Sequence, residues 1–293
     1  MLRLRDRTLV APAGEPLIMG IVNASPESFS DGGMYDGVDA QVARAEELAA
    51  AGAAIIDVGG ESGATGVDPL TADEEIRRVA PLVGRLVGLG LVVSVDTWKP
   101  AVARAVLAEG AHLINDVSGL RDAGLAGECA ASGAGLVLMH TRAEPKRKEF
   151  PHYDDVVGDV VTFLGERMAT AIAAGVDVDG IVLDPGPDFA KTPAQTVEVL
   201  THLDAVVALG RPVLLAVSRK DFVGALTLRR PRERDAGTLA AVAEGVDRGA
   251  SIVRVHDVAA VRDYFTVRSA LRGDRLVDPT LMLPIELRKQ PPD

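Results

Sequence analysis

Short runs of Val, Ile and Leu recur along the chain, separated by longer Ala-rich stretches whose apolar residues fall at helical spacing. Apolar runs without polar alternation mark strands buried on both faces, the pattern of a parallel sheet covered by helices. Eight such runs are present, at residues 17–22, 54–58, 91–95, 112–114, 135–139, 181–183, 212–217 and 251–255. Between them, periodicity predicts helices over 41–51, 72–87, 100–109 and 153–174. The third opens on Pro100, whose missing N–H costs little in a first turn. Eight strands alternating with helices predict an α/β fold, a single (β/α)8 TIM barrel; an open doubly wound sheet is the alternative, since the pattern does not show closure. The expected division is a short N-terminal hairpin over 1–16, the barrel over 17–275 and a C-terminal tail over 276–293.

Each apolar run ends in polar residues: Asn23, Asp57, Asp96, Asn115-Asp116, His140, Asp184, Ser218-Arg219-Lys220 and Arg254-Val255-His256-Asp257. In a parallel barrel these positions converge on the C-terminal rim, where barrel enzymes carry their chemistry. Strands commonly end in one or two polar residues, but eight in succession indicate a site. The cations Arg219, Lys220, Arg254 and His256 follow the seventh and eighth strands, where barrels often bind phosphate. Asp57, Asp96 and Asp184 oppose them and can accept hydrogen bonds from the N–H groups of a nitrogen-rich ring. Asn23 offers an amide oxygen suited to Mg²⁺ beside phosphate oxygens. With no H-x-H pair and no Cys cluster, a zinc or iron site is not expected. Gly-rich loops over 23–37 and 59–66 can close over a ligand, whereas Lys146-Arg147-Lys148 reads as a solvated face.

Charge narrows the partners. The chain carries 31 basic and 42 acidic residues, net −11, with no basic block. An extended nucleic-acid surface is therefore not expected, while a few local cations suffice for a small anion. No run is long and apolar enough for a membrane helix, and the first six residues lack a signal-peptide core, so a cytoplasmic location is expected. The single Cys129, in an Ala-rich stretch, reads as a buried inert thiol.

Taken in order, the strand-end pieces resemble the dihydropteroate synthase family over residues 17–271. They are I-M-G-I-V-N-A-S-P-E-S-F-S-D-G-G (18–33), D-V-G-G-E-S (57–62), S-V-D-T (94–97), I-N-D-V (114–117), L-M-H (138–140), D-P-G-P-D-F-A-K-T (184–192), S-R-K (218–220) and R-V-H-D-V (254–258). The resemblance implies transfer of a pterin methylene from pyrophosphate to the amine of p-aminobenzoate, with Mg²⁺. It assigns the pterin ring to Asp96, Asn115, Asp184 and Lys220, and the pyrophosphate to Asn23, Arg254 and His256. Asp31 matches a position helping the cationic intermediate, Phe29 and Phe189 flank p-aminobenzoate, and Met139 joins the substrate-binding set. The resemblance also implies a homodimer through C-terminal helices.

Four departures fall on the amine side. Gly63-Ala64 replace the usual Thr-Arg after Glu61-Ser62, Pro187-Asp188 replace Ile-Gly, and Asp221 stands where Ser is common. The first loop reads Ser25-Pro26-Glu27 in place of Thr-Pro-Asp. Loss of the loop Thr and Arg at Gly63-Ala64 is expected to impair transfer to p-aminobenzoate, and negative charge at Asp221 to disfavour a carboxylate substrate. A pterin-binding protein without transferase activity and a pterin-dependent methyltransferase are the competing functions. Retention of Asn23, Arg254 and His256 speaks against the methyltransferase.

Overall fold

The computed structural model describes residues 1–24, 37–61, 66 and 68–288. Its first two strands, β1 (Leu2–Leu4) and β2 (Arg7–Leu9), form an antiparallel hairpin. Eight parallel strands follow: β3 (Leu17–Asn23), β4 (Ile55–Gly59), β5 (Val93–Asp96), β6 (Leu113–Asp116), β7 (Gly135–Met139), β8 (Ile181–Asp184), β9 (Leu214–Leu215) and β10 (Ile252–Val255). They pair in the order β8-β7-β6-β5-β4-β3-β10-β9. A parallel bridge between Leu183 and Val213, with Leu183 N–H donating to Pro212 O at 2.9 Å, joins the two ends. The sheet is therefore a closed barrel, which decides against the open doubly wound alternative.

Strand periodicity divides the core in two. Met19, Ile55, Leu113, Val137, Val182, Leu214 and Ile252 point inward as one layer, and Leu2 and Leu4 of the hairpin cap it from below. Gly135 leaves room for the hairpin plug: a Cβ there would collide with Leu4 Cδ2 and lie 2.7 Å from Gly180 O. Each buried Leu of the plug contributes roughly 1.5–3 kcal/mol of apolar burial. The alternate strand residues, Ile18, Ile56, Val93, Ile114, Leu136, Leu183 and Val253 among them, pack against the helices.

Among the described residues ten α-helices surround the strands: α1 (Val38–Ala51), α2 (Ala72–Gly88), α3 (Pro100–Ala108), α4 (Gly124–Ser132), α5 (Val156–Ala173), α6 (Pro193–Thr201), α7 (Leu203–Val207), α8 (Asp221–Thr227), α9 (Asp235–Asp247) and α10 (Val258–Arg272). Several bounds differ from expectation, α1 for one starting at Val38 and not at 41, and two of the differences have local reasons. α5 starts after Asp155, whose carboxylate accepts from Gly158 N–H as an N-cap, and not at 153. The seventh apolar run shortens to Leu214–Leu215 because Pro212 has no N–H for the ladder and the chain then turns toward Ser218.

Candidate active site

At the C-terminal rim, four side chains from four strands meet. Arg254 of β10 donates from Nε to Asp57 Oδ2 of β4 at 2.6 Å and from Nη2 to Asp96 Oδ2 of β5 at 3.3 Å. Asn115 Nδ2 of β6 reaches the same Asp57 oxygen at 3.3 Å. Asp57 is fully buried, and its other oxygen, Oδ1, has no hydrogen-bond partner among the described residues. A buried acceptor left unpaired is costly, so Oδ1 is poised for a ligand or a water. Loss of water pushes the Asp96 carboxyl up to about 7, with Arg254 pulling it down and Asp57 adding to the rise. Asn23 closes this group, since a Cβ on Gly59 would lie 3.9 Å from both Asn23 Oδ1 and Asp96 Cβ.

The second half of the site is built by the loop after β8. Asp184 is buried and takes Gly186 N–H at 2.7 Å; burial raises its carboxyl, opposed by Lys220. Lys220, which immediately precedes α8, donates to Pro187 O at 2.8 Å and lies 4.2 Å above the Phe189 ring centroid. Burial lowers its ammonium to about 8, with Asp184 and Asp188 pulling upward. Phe189 is 37% exposed, so a cation and an aromatic face are offered together at the mouth.

In the third corner, His256 Nδ1 and Ser218 Oγ are 2.9 Å apart, and Ser218 Oγ also accepts from His256 N–H. Asp57, Asp96, Asn115, Asp184, Lys220, Arg254, His256 and Asn23 thus share one end of the barrel. Met139 ends β7 and is 1% exposed.

This arrangement covers the stretch matched by the family model described as "Pterin binding enzyme", residues 19–256. The chain belongs to the pterin-binding enzymes. It is 44% identical over 247 residues to the dihydropteroate synthase of Bacillus subtilis, covering 84% of this chain and 85% of that one. Its fold is similar to the Xanthomonas albilineans dihydropteroate synthase solved with 4-aminobenzoic acid, at TM-score 0.82 and 46% identity, covering 88% and 93% of the two chains. The same enzyme solved in complex with 7,8-dihydropteroate gives TM-score 0.79 at 46% identity, covering 88% and 94%.

Within this pterin-binding enzyme, several sequence-based expectations change. Asp221 does not present an uncompensated charge: its carboxylate, 63% exposed, takes Lys148 Nζ at 2.9 Å and Arg234 Nη1 at 3.2 Å, which hold it below the usual range. Asp188 accepts Phe222 N–H at 3.0 Å and Thr196 Oγ1–H at 3.2 Å, and so caps α8 from outside. Arg219 leaves the cation group, because Asp235 takes its Nε and Nη2 at 2.8 and 3.3 Å. His140 is fully buried below the rim, between Asp159 and Lys191. Lys146 is no solvated residue: its Nζ lies 3.3 Å from Glu61 and its side chain is 9% exposed. Cys129 is buried, with its thiol pushed up to about 12, as an inert cysteine should be. Asp31, Phe29, Ser25, Pro26, Glu27, Gly63 and Ala64 lie outside the described residues.

Sequence reasoning missed Lys191, although it stands inside the D-P-G-P-D-F-A-K-T piece. It also missed Lys99, which bridges Glu61 and the buried Glu75 at 2.9 and 2.6 Å. A lysine just before the capping box of Thr192 and Gln195 was the available signal for the first.

Proposed function

We infer that this chain is a dihydropteroate synthase, condensing 6-hydroxymethyl-7,8-dihydropterin pyrophosphate with p-aminobenzoate to dihydropteroate and pyrophosphate in folate biosynthesis. The observation that carries it is a rim where acids and an amide (Asp96, Asn115, Asp184) adjoin Lys220 and Arg254, in a chain matching the family over 19–256. Relatives named as synthases, one solved with amine and product, favour catalysis over binding alone.

In the reaction, the bond between the pterin methylene carbon and pyrophosphate oxygen breaks, and its electron pair leaves with pyrophosphate. The amine lone pair forms the new C–N bond, and an amine proton passes to water. An aromatic amine is unprotonated at pH 7, so the chain's task is electrostatic: hold the ring, neutralise the leaving group and position the amine. Asp96, Asn115 and Asp184 accept from or donate to the ring. Lys220 stays mainly protonated at pH 7, suited to a ring acceptor or the carboxylate. Arg254 and His256 offer N–H donors to pyrophosphate oxygens, and Asp31 is assigned to the cationic intermediate.

Magnesium belongs to the same proposal. Among the described residues no group of three or more His, Cys, Asp or Glu side chains can hold a metal ion. Mg²⁺ keeps several waters and needs few protein oxygens when phosphates complete its shell, which fits a single amide oxygen from Asn23. When bound, it would offset charge on pyrophosphate.

A homodimer is supported by α10 and the segment beyond it, which leave Val267, Leu271, Leu276 and Ile285 uncovered by the described residues. No described helix is long and apolar enough to cross a membrane; the unpaired, buried Cys129 supports the cytoplasm as its compartment. The function is tested by chromatography of the products: dihydropteroate should form only with both substrates present. Binding of the pterin pyrophosphate without product would return the protein to a binding role.

A further inference from the structure

Beneath the loop that follows β8 runs a buried line of polar side chains that the condensation does not use. Lys191 is 1% exposed. Its ammonium lies 2.7 Å from His140 Nδ1, 3.0 Å from Gly186 O and 3.2 Å from Phe189 O. Burial lowers this ammonium to about 7, with Asp184 pulling it back up; in the protonated form all three of its N–H groups are taken. Burial and Lys191 hold His140 neutral, lowered to about 3. Because Nδ1 accepts, the ring proton belongs on Nε2, which donates to Asp159 Oδ2 at 2.9 Å. Arg142 grips the same carboxylate from Nε and Nη2 at 3.0 and 2.5 Å. The line runs from a surface arginine to two backbone carbonyls beside the pocket.

An ammonium buried against neutral acceptors is costly, and an apolar chain of similar length would fill the space. What it secures is the loop. Gly186, Asp188 and Ala190 have φ of +64°, +65° and +53°, left-handed conformations that persist where the surroundings impose them. The two carbonyls held by Lys191 bracket Asp188, and between them Pro187 O takes Lys220 Nζ. Moving this loop would move the Phe189 ring and the Lys220 ammonium together.

We propose that Lys191 is a positioning residue for the amine substrate: seated on His140, it fixes the Gly186 and Phe189 carbonyls and so sets where the Phe189 ring and Lys220 meet an aromatic carboxylate. This rests on the synthase assignment, since that assignment supplies the amine. Lys191 itself touches neither substrate.

The test compares wild type with Lys191→Met in two measurements. Hydrogen exchange of the peptide spanning 186–192, which needs no substrate, should speed up at least tenfold while the strands over 93–96 and 113–116 stay protected. In steady state, KM for p-aminobenzoate should rise on the order of tenfold, with kcat changing much less and the affinity for pterin pyrophosphate, which shares Lys220 but not Phe189, falling by a smaller factor. A purely structural lysine would alter all parameters together through loss of folded protein. Unchanged exchange over 186–192, or an unchanged amine KM in an enzyme that turns over, overturns the proposal. If wild type makes no dihydropteroate, the synthase assignment fails, and the exchange measurement still decides whether Lys191 holds the loop. Should Lys191→Met not fold, Asp159→Asn answers the same questions, with smaller shifts expected in the same direction and no shift counting against the proposal.

Discussion

Arg254 Nε donates to Asp57 Oδ2 at 2.6 Å, joining β10 to β4 across 197 positions of sequence. Asp57 is fully buried while the arginine is one-fifth exposed. The pair holds the guanidinium at the barrel rim, and Nη1 has no hydrogen-bond partner among the described residues.

Arg254→Ala should therefore do two things. Pyrophosphate affinity should fall about ten- to hundredfold, the size of one lost hydrogen bond to a charged group, roughly 1.5–3 kcal/mol. The orphaned Asp57 should lower stability by about 2–3 kcal/mol, below the full figure for a buried pair because Arg254 keeps some water. Calorimetry and urea unfolding measure the two separately, and unchanged affinity would remove Arg254 from the anion site.

The pH profile follows from two shifted groups. Asp96, raised to about 7 by desolvation, must be ionised to accept from the ring, so kcat/KM should rise as pH climbs through about 7. Lys220, lowered to about 8 by burial, must be protonated, so kcat/KM should fall as pH climbs through about 8. The profile should be a narrow bell. Lys220→Arg should erase the alkaline limb even if it lowers the maximum.

Acid stability should depend on His140. Its folded form titrates at about 3 and an unfolded histidine at about 6.5, so below pH 6.5 the unfolded chain binds a proton that the native one does not. The native state then loses up to about 1.4 kcal/mol per pH unit between those values. Urea unfolding at pH 6.5, 5.5 and 4.5 should show a shallower decline in His140→Gln than in wild type.

Gly186→Ala should cost on the order of 3 kcal/mol or more, because the added Cβ would meet a rigid backbone carbonyl at a left-handed position. That carbonyl is His140 O, 2.0 Å from the Cβ site. A variant with wild-type melting and activity would show that the loop yields freely.

Asp221→Ser should leave KM for p-aminobenzoate within about twofold, since an exposed, paired carboxylate contributes little. Lys148 and Arg234 are the cations that pair with it. Gly63→Thr with Ala64→Arg, which restores the loop Thr and Arg, should by contrast raise transfer without tightening pterin binding much. Equal effects from the two changes would contradict this separation.

The barrel was legible because its strands are buried on both faces and end in polar groups, signals confined to a few consecutive residues. Closure was not, because it depends on the contact of Leu183 with Val213. In the site, strand position brought Asp96, Asn115, Asp184 and Arg254 to one rim. Side-chain partners were hidden. Whether Asp221 repels or is neutralised turns on Lys148, 73 residues away, and whether His140 faces substrate or supports a loop turns on Lys191, 51 residues away. Arg219 and Arg254 looked alike in sequence, yet Asp235 at the start of α9 withdraws the first.

Pyrophosphate release from 6-hydroxymethyl-7,8-dihydropterin pyrophosphate, measured with and without p-aminobenzoate, separates a synthase from a pterin-binding protein. Release should accelerate many-fold when the amine is added, with one dihydropteroate formed per pyrophosphate. Release that ignores the amine, or none at all from a protein that binds the pterin pyrophosphate, would contradict assignment as a synthase.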